Sequence, residues 1–189
     1  MRLVLVGPPG AGKGTQATVV AGRLGVPHIS TGDLFRFNVG QGTPLGVQAK
    51  EFMDAGQLVP DSVTNAMVAD RLDHDDVAAG FLLDGYPRNR SQVGVLDEML
   101  AGHGVTLDAV VELVVDRAEI TERLLERARL QGRSDDTAEV IAARFDVYDA
   151  ETAPVVNAYR ERGLLRVVDG LGAVEDVTAR VLAVLEVAP

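Results

Sequence analysis

The stretch GPPGAGKGT, residues Gly7 to Thr15, decides how the rest of the sequence is interpreted. It follows the apolar run Leu3 to Val6, which predicts a buried parallel strand, and it leads into a helical pattern from Lys13 to Leu24. Glycines let successive backbone N–H groups point at one phosphate, and the helix N-terminus adds its positive dipole end. With Lys13 placed to reach outer phosphates, the spacing and context predict a nucleotide phosphate-binding loop.

Strand and helix patterns alternate along the whole sequence. The expected strands are Leu3–Val6, Val26–Ile29, Phe81–Leu83, Ala109–Val115 and Leu164–Val168. The expected helices are Lys13–Leu24, Leu45–Ala55, Ser91–Ala101, Arg117–Arg129, Val140–Arg162 and Val174–Val187, with extra helices between Ser30 and about Val77. This alternation predicts an α/β fold, a doubly wound five-stranded parallel sheet with helices on both faces, formed as one domain over residues 1–189.

Composition narrows the function classes. The chain has 189 residues, of which 24% are charged, and its formal net charge is −10, so it lacks the basic surface that nucleic-acid binding needs. No apolar run approaches the roughly 18 residues of a membrane span, and no secretory signal fits the N-terminus, so we expect a cytoplasmic protein that binds no membrane. The absence of cysteine and the three scattered histidines argue against disulfides and a structural zinc site.

The basic residues are mostly arginine. There are sixteen arginines and two lysines, Lys13 and Lys50, and five of the arginines lie between Arg117 and Arg133. Arginine grips phosphate oxygens with two parallel hydrogen bonds, so this cluster suits a phosphate site. Ordinary surface arginines are the alternative interpretation of the same cluster.

Carboxylates near the loop are candidates for binding Mg²⁺. Asp84 ends the expected strand Phe81–Leu83 and so emerges at the carboxyl edge of the sheet beside the loop, where a carboxylate commonly holds the metal or its water shell. A turn cap before Gly85 is the alternative role. Gly14 stands directly after Lys13, where the general motif has Ser or Thr, so Thr15 is assigned to the phosphates or the metal's water shell. Asp33 is a further candidate for that shell, and an ordinary carboxylate in the first turn of a helix is its alternative role.

Further motifs occur in order along the chain. They are STGDLFR at Ser30–Arg36, DGYPR at Asp84–Arg88 with Gln92 beyond it, GRSDD at Gly132–Asp136, and Arg144 ahead of Val147 and Tyr148. Together with the phosphate loop, this series resembles the adenylate kinase family over nearly the whole chain. The resemblance implies a core of residues 1–29, 60–125 and 137–189, an AMP-binding subdomain at 30–59, and a short lid without zinc at 126–136. It also implies ATP, AMP and ADP as partners, Mg²⁺ as cofactor and a monomer.

The resemblance assigns residues to three roles. Catalytic residues would be Lys13, Arg88, Arg123, Arg127, Arg133 and Arg144. ATP would be bound by Gly10, Ala11, Gly12, Lys13, Gly14, Thr15, Arg123, Arg127 and Gly172. AMP would be bound by Thr31, Arg36, Gln57, Leu58, Val59, Gly85, Tyr86, Pro87, Arg88, Gln92, Arg133 and Arg144. Met53 is a further candidate for the wall of the AMP pocket.

The expected reaction is ATP + AMP = 2 ADP, and it needs no general base. A phosphate monoester has a second pKa near 6, so at neutral pH its oxygen is already ionised and can attack directly. Three alternatives stay open: a P-loop kinase acting on UMP or CMP, one acting on a small hydroxylated metabolite with Asp33 as base, and an ATP-dependent binding module or switch. A Gln at this distance after Pro87 and Arg88 resembles the adenylate branch of the family, and a carboxamide can pair with the donor and acceptor edge of adenine.

Overall fold

A computed structural model describes residues 1–131 and 137–186 of the chain. The strands are β1 (Arg2–Val6), β2 (His28–Ser30), β3 (Phe81–Asp84), β4 (Ala109–Val114) and β5 (Leu165–Asp169). They form one five-stranded sheet in the order β2-β3-β1-β4-β5. Every neighbouring pair is parallel, with Leu5 of β1 in register with Asp84 of β3 and Val111 of β4. The sequence-based prediction of a parallel α/β sheet is confirmed.

Helices connect the strands. They are α1 (Lys13–Leu24), α2 (Thr31–Gln41), α3 (Pro44–Asp54), α4 (Asp61–Leu72), α5 (Arg90–Gly102), α6 (Arg117–Gln131), α7 (Ala138–Val147), α8 (Ala153–Glu161) and α9 (Val174–Glu186). A 3-10 turn spans Asp75–Val77, and a π-helical segment, Tyr148–Thr152, joins α7 to α8. Within residues 1–131 and 137–186, no helix combines the length and the apolar character that crossing a bilayer requires.

Both faces of the sheet are buried. Val4 and Val6 of β1 pack with α4, α5 and α8 on one face, whereas Leu3 and Leu5 pack with α1 and α9 on the other. Consecutive strand residues point to opposite faces, so a strand covered on both sides must be apolar throughout. The helix that follows β1, α1, packs on one face, and the helix that follows β3, α5, packs on the other. Adjacent connections that run to opposite faces leave a crevice at the carboxyl edge of the sheet, where α/β proteins bind their ligands.

Local capping explains where several helices begin and end. α1 ends at Gly25, whose φ of 65° is left-handed, as the sequence predicted. The Ser30 hydroxyl accepts a hydrogen bond from the Asp33 N–H at the start of α2, and the Thr43 hydroxyl accepts one from Gly46 N–H ahead of α3. These caps separate the helices of the segment between β2 and β3.

Two predicted elements differ from the structure. The prediction of one continuous helix from Val140 to Arg162 was wrong, because α7 ends at Val147 and the π-helical segment intervenes before α8. Pro154 lies in the first turn of α8, where its missing N–H needs no partner, and it cannot continue the hydrogen bonding of a preceding α-helix. The second strand was predicted from Val26 but begins at His28.

Candidate active site

The loop Gly7–Thr15 lies at the carboxyl end of β1 and leads directly into α1. Gly10 adopts a φ of +84°, and a Cβ there would lie 2.6 Å from Cγ2 of Ile120 and 2.8 Å from Cγ of Leu124. Only glycine tolerates both constraints. The N-cap of α1 is Gly12, which offers no side-chain cap, so the first N–H groups of the helix are left to bind an anion.

Lys13 is anchored across this loop. Its Nζ donates to the carbonyl oxygens of Gly7 at 2.7 Å and Pro8 at 2.8 Å. The ammonium group is therefore held against the backbone of the loop. Positive charge and donors converge on one point, which is the arrangement a terminal phosphate requires.

A cleft of about 580 Å³, here called the large cleft, opens in front of the loop. The sequence-predicted residues that line it are Gly10, Ala11, Gly12, Lys13, Gly14, Thr15, Asp33, Arg36, Asp84, Gly85, Arg88, Arg123, Arg144 and Gly172. They come from the ends of β1, β3 and β5 and from helices α1, α2, α6 and α7. The fold thus brings together residues that are distant in sequence.

Asp84 occupies the floor of the large cleft. The residue is 8% exposed, and its Oδ2 lies 3.9 Å from Nε2 of His28. The same oxygen would be 3.6 Å from a Cβ at position 14, so Gly14 keeps the space in front of the carboxylate open. Mg²⁺ usually binds one or two carboxylates, several waters and substrate phosphates. A single buried carboxylate beside a phosphate loop fits that donor set.

A second cavity, here called the inner pocket, has a volume of about 70 Å³. The predicted residues that line it are Thr31, Arg36, Met53, Gln57, Leu58, Val59, Gly85, Arg88, Gln92 and Arg144. Its walls combine apolar side chains with polar and charged groups, and they come from α2, from the turn after α3, from the start of α5 and from α7. A small pocket in which apolar side chains face a few polar groups is suited to a nucleobase.

Three arginines, Arg36, Arg88 and Arg144, line both cavities, and we call them the arginine junction. Arg144 reaches it because α7 packs closely on the turn after α3, where a Cβ at Gly56 would lie 3.2 Å from Cγ of Arg144. The large cleft and the inner pocket therefore meet at concentrated positive charge. Two ligands whose anionic ends face each other would place those ends here.

Arg88 is held by hydrogen bonds from both its backbone and its side chain. Its backbone N–H donates to Oε1 of Gln92 at 2.7 Å, its Nε donates to the Gly85 carbonyl at 2.8 Å, and its carbonyl accepts from the Thr152 hydroxyl at 2.8 Å. Burial lowers the pKa of the Arg88 guanidinium, and the neighbouring Asp84 carboxylate opposes that shift. A desolvated but still charged arginine binds an incoming anion strongly.

Arg36 is paired with a carboxylate. Its Nη2 forms an ion pair with Asp33 one helical turn away. Burial acts to raise the pKa of Asp33, but hydrogen bonds from Arg36 and Ser30 and the charge of Arg36 bring it below its ordinary value. A carboxylate with a lowered pKa is a weak proton acceptor, which argues against Asp33 as the base of a hydroxyl-directed kinase.

The far end of the large cleft is closed by the loop after β5. Arg180 of α9 donates from Nη1 to the Asp169 carbonyl at 2.5 Å, from Nε to the Asp176 carbonyl at 3.3 Å and from Nη2 to the Leu171 carbonyl. These bonds fix the backbone on both sides of Gly172. Across the cleft, Arg123 pairs with Glu119 one turn earlier in α6.

Several predicted residues lie elsewhere or outside the described parts of the chain. Tyr86 and Pro87 line a smaller cavity of about 60 Å³ behind Arg88, together with Lys13. Arg133 lies outside the described residues, as does the side chain of Arg127, and residues 132–136 of the expected lid are also outside them.

Sequence reasoning missed residues that support the site. Phe35 and Thr64 line the inner pocket, and Phe35 could have been found because it follows Thr31 by one helical turn. Thr152 and Arg180 act through backbone carbonyls of other segments. No local pattern marks such contacts, because the partner of Thr152 is 64 positions away in the chain.

The fold and the site together define the class of protein. A parallel α/β sheet, a phosphate-binding loop at its carboxyl edge and arginines around the cleft are the features of a P-loop phosphotransferase.

Comparison with known proteins gives the family. A family model described as adenylate kinase matches residues 5–164. A protein named adenylate kinase from Thermobifida fusca is 58% identical over 98% of both chains, and one from Kocuria rhizophila is 58% identical with the same coverage. A third, from a Nocardioides species, is 56% identical over 100% of this chain and 99% of its own. The chain belongs to the adenylate kinase family.

Proposed function

We propose that the protein transfers the γ-phosphoryl group of ATP to AMP, reversibly and with Mg²⁺, to give two molecules of ADP, and that it serves adenine nucleotide homeostasis. The observation that carries this proposal is the meeting of the large cleft and the inner pocket at the arginine junction. An enzyme that joins two phosphate tails needs one cavity for each nucleotide and positive charge between them.

ATP occupies the large cleft in this proposal. Its phosphates lie against the backbone of Gly10–Thr15 and against Lys13, whose ammonium group is already held at the loop. Its adenine lies toward Gly172 and Arg123, at the end of the cleft where Arg180 fixes the backbone. Arg127 and Arg133 of the expected lid complete the phosphate site.

AMP occupies the inner pocket. Its base lies among Met53, Leu58, Val59 and Gln92, and its phosphate points out to the arginine junction. Thr31 supports this pocket by donating its hydroxyl to the Gly85 carbonyl at 2.9 Å. The two substrates thus meet at their phosphates.

The chemical step forms one bond and breaks one. An AMP phosphate oxygen attacks the γ-phosphorus, while the bond from that phosphorus to the bridging oxygen of ATP breaks and leaves its electron pair on the departing ADP. Negative charge spreads over the moving phosphoryl oxygens, so Lys13 and Arg88 contribute mainly by neutralising that charge and aligning the two tails. Proton abstraction is unnecessary, since the attacking phosphate is ionised at neutral pH.

Asp84 would bind Mg²⁺ either directly or through the water ligands of the ion. Asp33 and Thr15 would form hydrogen bonds to those waters. When bound, the ion neutralises charge on the ATP phosphates. The protein's contribution is a buried carboxylate whose approach is kept open by Gly14.

A coupled assay tests the proposal. Purified protein with ATP, AMP and Mg²⁺ should produce two ADP for each AMP consumed, and AMP should be used far better than GMP, CMP or UMP. A folded protein that makes no ADP from this mixture would overturn the proposal. A clear preference for CMP or UMP would show that AMP is not the acceptor.

We also propose that the enzyme works in the cytoplasm as a monomer. A net charge of −10 disfavours association with polyanions and anionic membranes and supports a freely diffusing small enzyme. Sedimentation should give a single species near the chain mass of 20.0 kDa, whereas a species of twice that mass would contradict the monomer.

A further inference from the structure

The carboxamide of Gln92 is held in one orientation by two partners, the Asp61 carboxylate and the Arg88 backbone N–H. Its Nε2 donates to Oδ1 of Asp61 at 2.7 Å, and its Oε1 accepts the backbone N–H of Arg88 at 2.7 Å. A carboxylate can only accept and a backbone N–H can only donate, so the two partners fix which end of the amide is oxygen and which is nitrogen. Gln92 is 2% exposed, so neither bond is easily replaced by water.

Asp61 is itself fixed. Nδ2 of Asn89 lies 3.0 Å from Oδ1 and 3.2 Å from Oδ2 of the Asp61 carboxylate. Oδ1 of Asn89 accepts the Gln92 backbone N–H at 2.9 Å and caps helix α5. Asp61 lines a neighbouring groove rather than the inner pocket, and its hydrogen bond to Gln92 connects it to that pocket.

The fixed carboxamide has one N–H and one oxygen lone pair left over. Adenine offers a ring nitrogen acceptor beside an amino donor, which matches that pair. A 6-oxopurine offers a protonated ring nitrogen beside a carbonyl. In the same position its N–H donor would face the Gln92 N–H donor, and its carbonyl acceptor would face the Gln92 oxygen. Rotating the carboxamide by half a turn would restore the match, but it would set Oε1 against the Asp61 carboxylate and Nε2 against the Arg88 N–H.

We propose that Asp61, held by Asn89, is a specificity-determining positioning residue that makes the acceptor site accept a 6-aminopurine and reject a 6-oxopurine by preventing rotation of the Gln92 carboxamide. This inference rests on the proposed function, because it takes the inner pocket as the site of the acceptor base. Buried polar groups left without partners are what gives a hydrogen-bonding site its discrimination between close analogues.

The test compares AMP with IMP, which differs at the 6-position and carries no extra 2-amino group. The variant Asp61→Asn keeps the shape of the side chain, but its amide can donate to the Gln92 oxygen, so only the Arg88 N–H still opposes rotation of the carboxamide. We expect the ratio of kcat/KM for AMP to that for IMP to fall about tenfold, the effect of one hydrogen bond, with the KM for ATP unchanged. An unchanged ratio, including an equal loss with both acceptors, would overturn the proposal.

A second variant keeps the proposal testable if Asp61→Asn does not fold. Asn89→Ser preserves a good helix cap but removes the amide that holds Asp61. We expect a drop of about threefold in the AMP to IMP ratio, since Asp61 keeps its charge but loses its anchor. No change in this ratio for folded Asn89→Ser would count against the proposal.

Gln92→Ala separates this inference from the proposed function. It should raise the KM for AMP without raising the KM for ATP. If the KM for AMP does not change, the acceptor base does not lie against Gln92 and the role of Asp61 fails with that placement, whereas the reaction itself is decided by the coupled assay. If the KM for AMP rises while Asp61→Asn leaves the AMP to IMP ratio unchanged, only the role of Asp61 fails.

Discussion

The large cleft and the inner pocket differ in the groups that line them. The cleft, about 580 Å³, is shaped by glycine-containing backbone at Gly7–Thr15 and around Gly172. The pocket, about 70 Å³, is lined largely by side chains, and the Gln92 carboxamide in it is oriented by Asp61, which does not line it, and by the Arg88 N–H. Backbone donors bind a phosphate whatever base is attached, whereas oriented side chains discriminate between bases. The donor site is therefore expected to be permissive and the acceptor site selective.

Arg88→Ala should have the largest effect, because this arginine belongs to both cavities. We expect kcat to fall by about a thousandfold, as when a transition-state arginine is lost from other phosphoryl-transfer enzymes. The measurement is steady-state kinetics with both nucleotides varied. Arg162→Ala, which removes a surface arginine paired with Asp97, is the control and should leave kcat nearly unchanged. A near-normal rate for Arg88→Ala would remove the arginine junction from the mechanism.

Lys13→Met should damage the donor side alone. We expect kcat/KM for ATP to fall at least about a hundredfold, while direct binding of AMP and the circular dichroism spectrum remain unchanged. The other lysine of the chain provides a matched control, since Lys50 lies on the surface and pairs with Asp54. Loss of AMP binding in Lys13→Met would show that the two cavities are not independent.

The difference between the cavities also explains how much could be predicted. The phosphate loop Gly7–Thr15 was predicted from glycine spacing, Lys13 and the strand and helix around it. The bounds of α1, predicted from the helical pattern and the stop at Gly25, are confirmed. The positions of Arg36, Arg88 and Arg144 came from family resemblance, and their meeting depends on how α2, β3 and α7 pack together. The π-helical segment that delivers Thr152 to Arg88 was missed, because helix periodicity does not distinguish it from a continuous helix.

Arg180→Ala should have a moderate effect confined to ATP. Without its bonds to the carbonyls around Gly172, the adenine end of the large cleft becomes less ordered, and we expect the KM for ATP to rise about fivefold, with the KM for AMP unchanged. Arg166→Ala removes the same charge from the neighbouring strand and is the control. An equal rise in both KM values would contradict a role restricted to the donor base.

Asp33→Asn should have the smallest effect. The folded-state pKa of Asp33 lies below its ordinary value of 3.8, so the carboxylate contributes stability above about pH 4 that is lost as the pH falls through the lowered pKa. Because the side chain is 65% exposed, we expect Asn to lower the free energy of unfolding at pH 7 by less than about 0.5 kcal/mol. Urea unfolding at pH 7 and pH 3 measures this difference, and a deficit that grows at pH 3 would have the wrong sign.

A crystal structure with a two-headed inhibitor, in which a polyphosphate joins two adenosines, tests the central claim most directly. We expect one inhibitor per chain, with one adenine near Gly172, the other against Gln92, and the polyphosphate running from Lys13 to Arg88. An inhibitor that leaves the inner pocket empty, or that binds away from the arginine junction, would contradict the account.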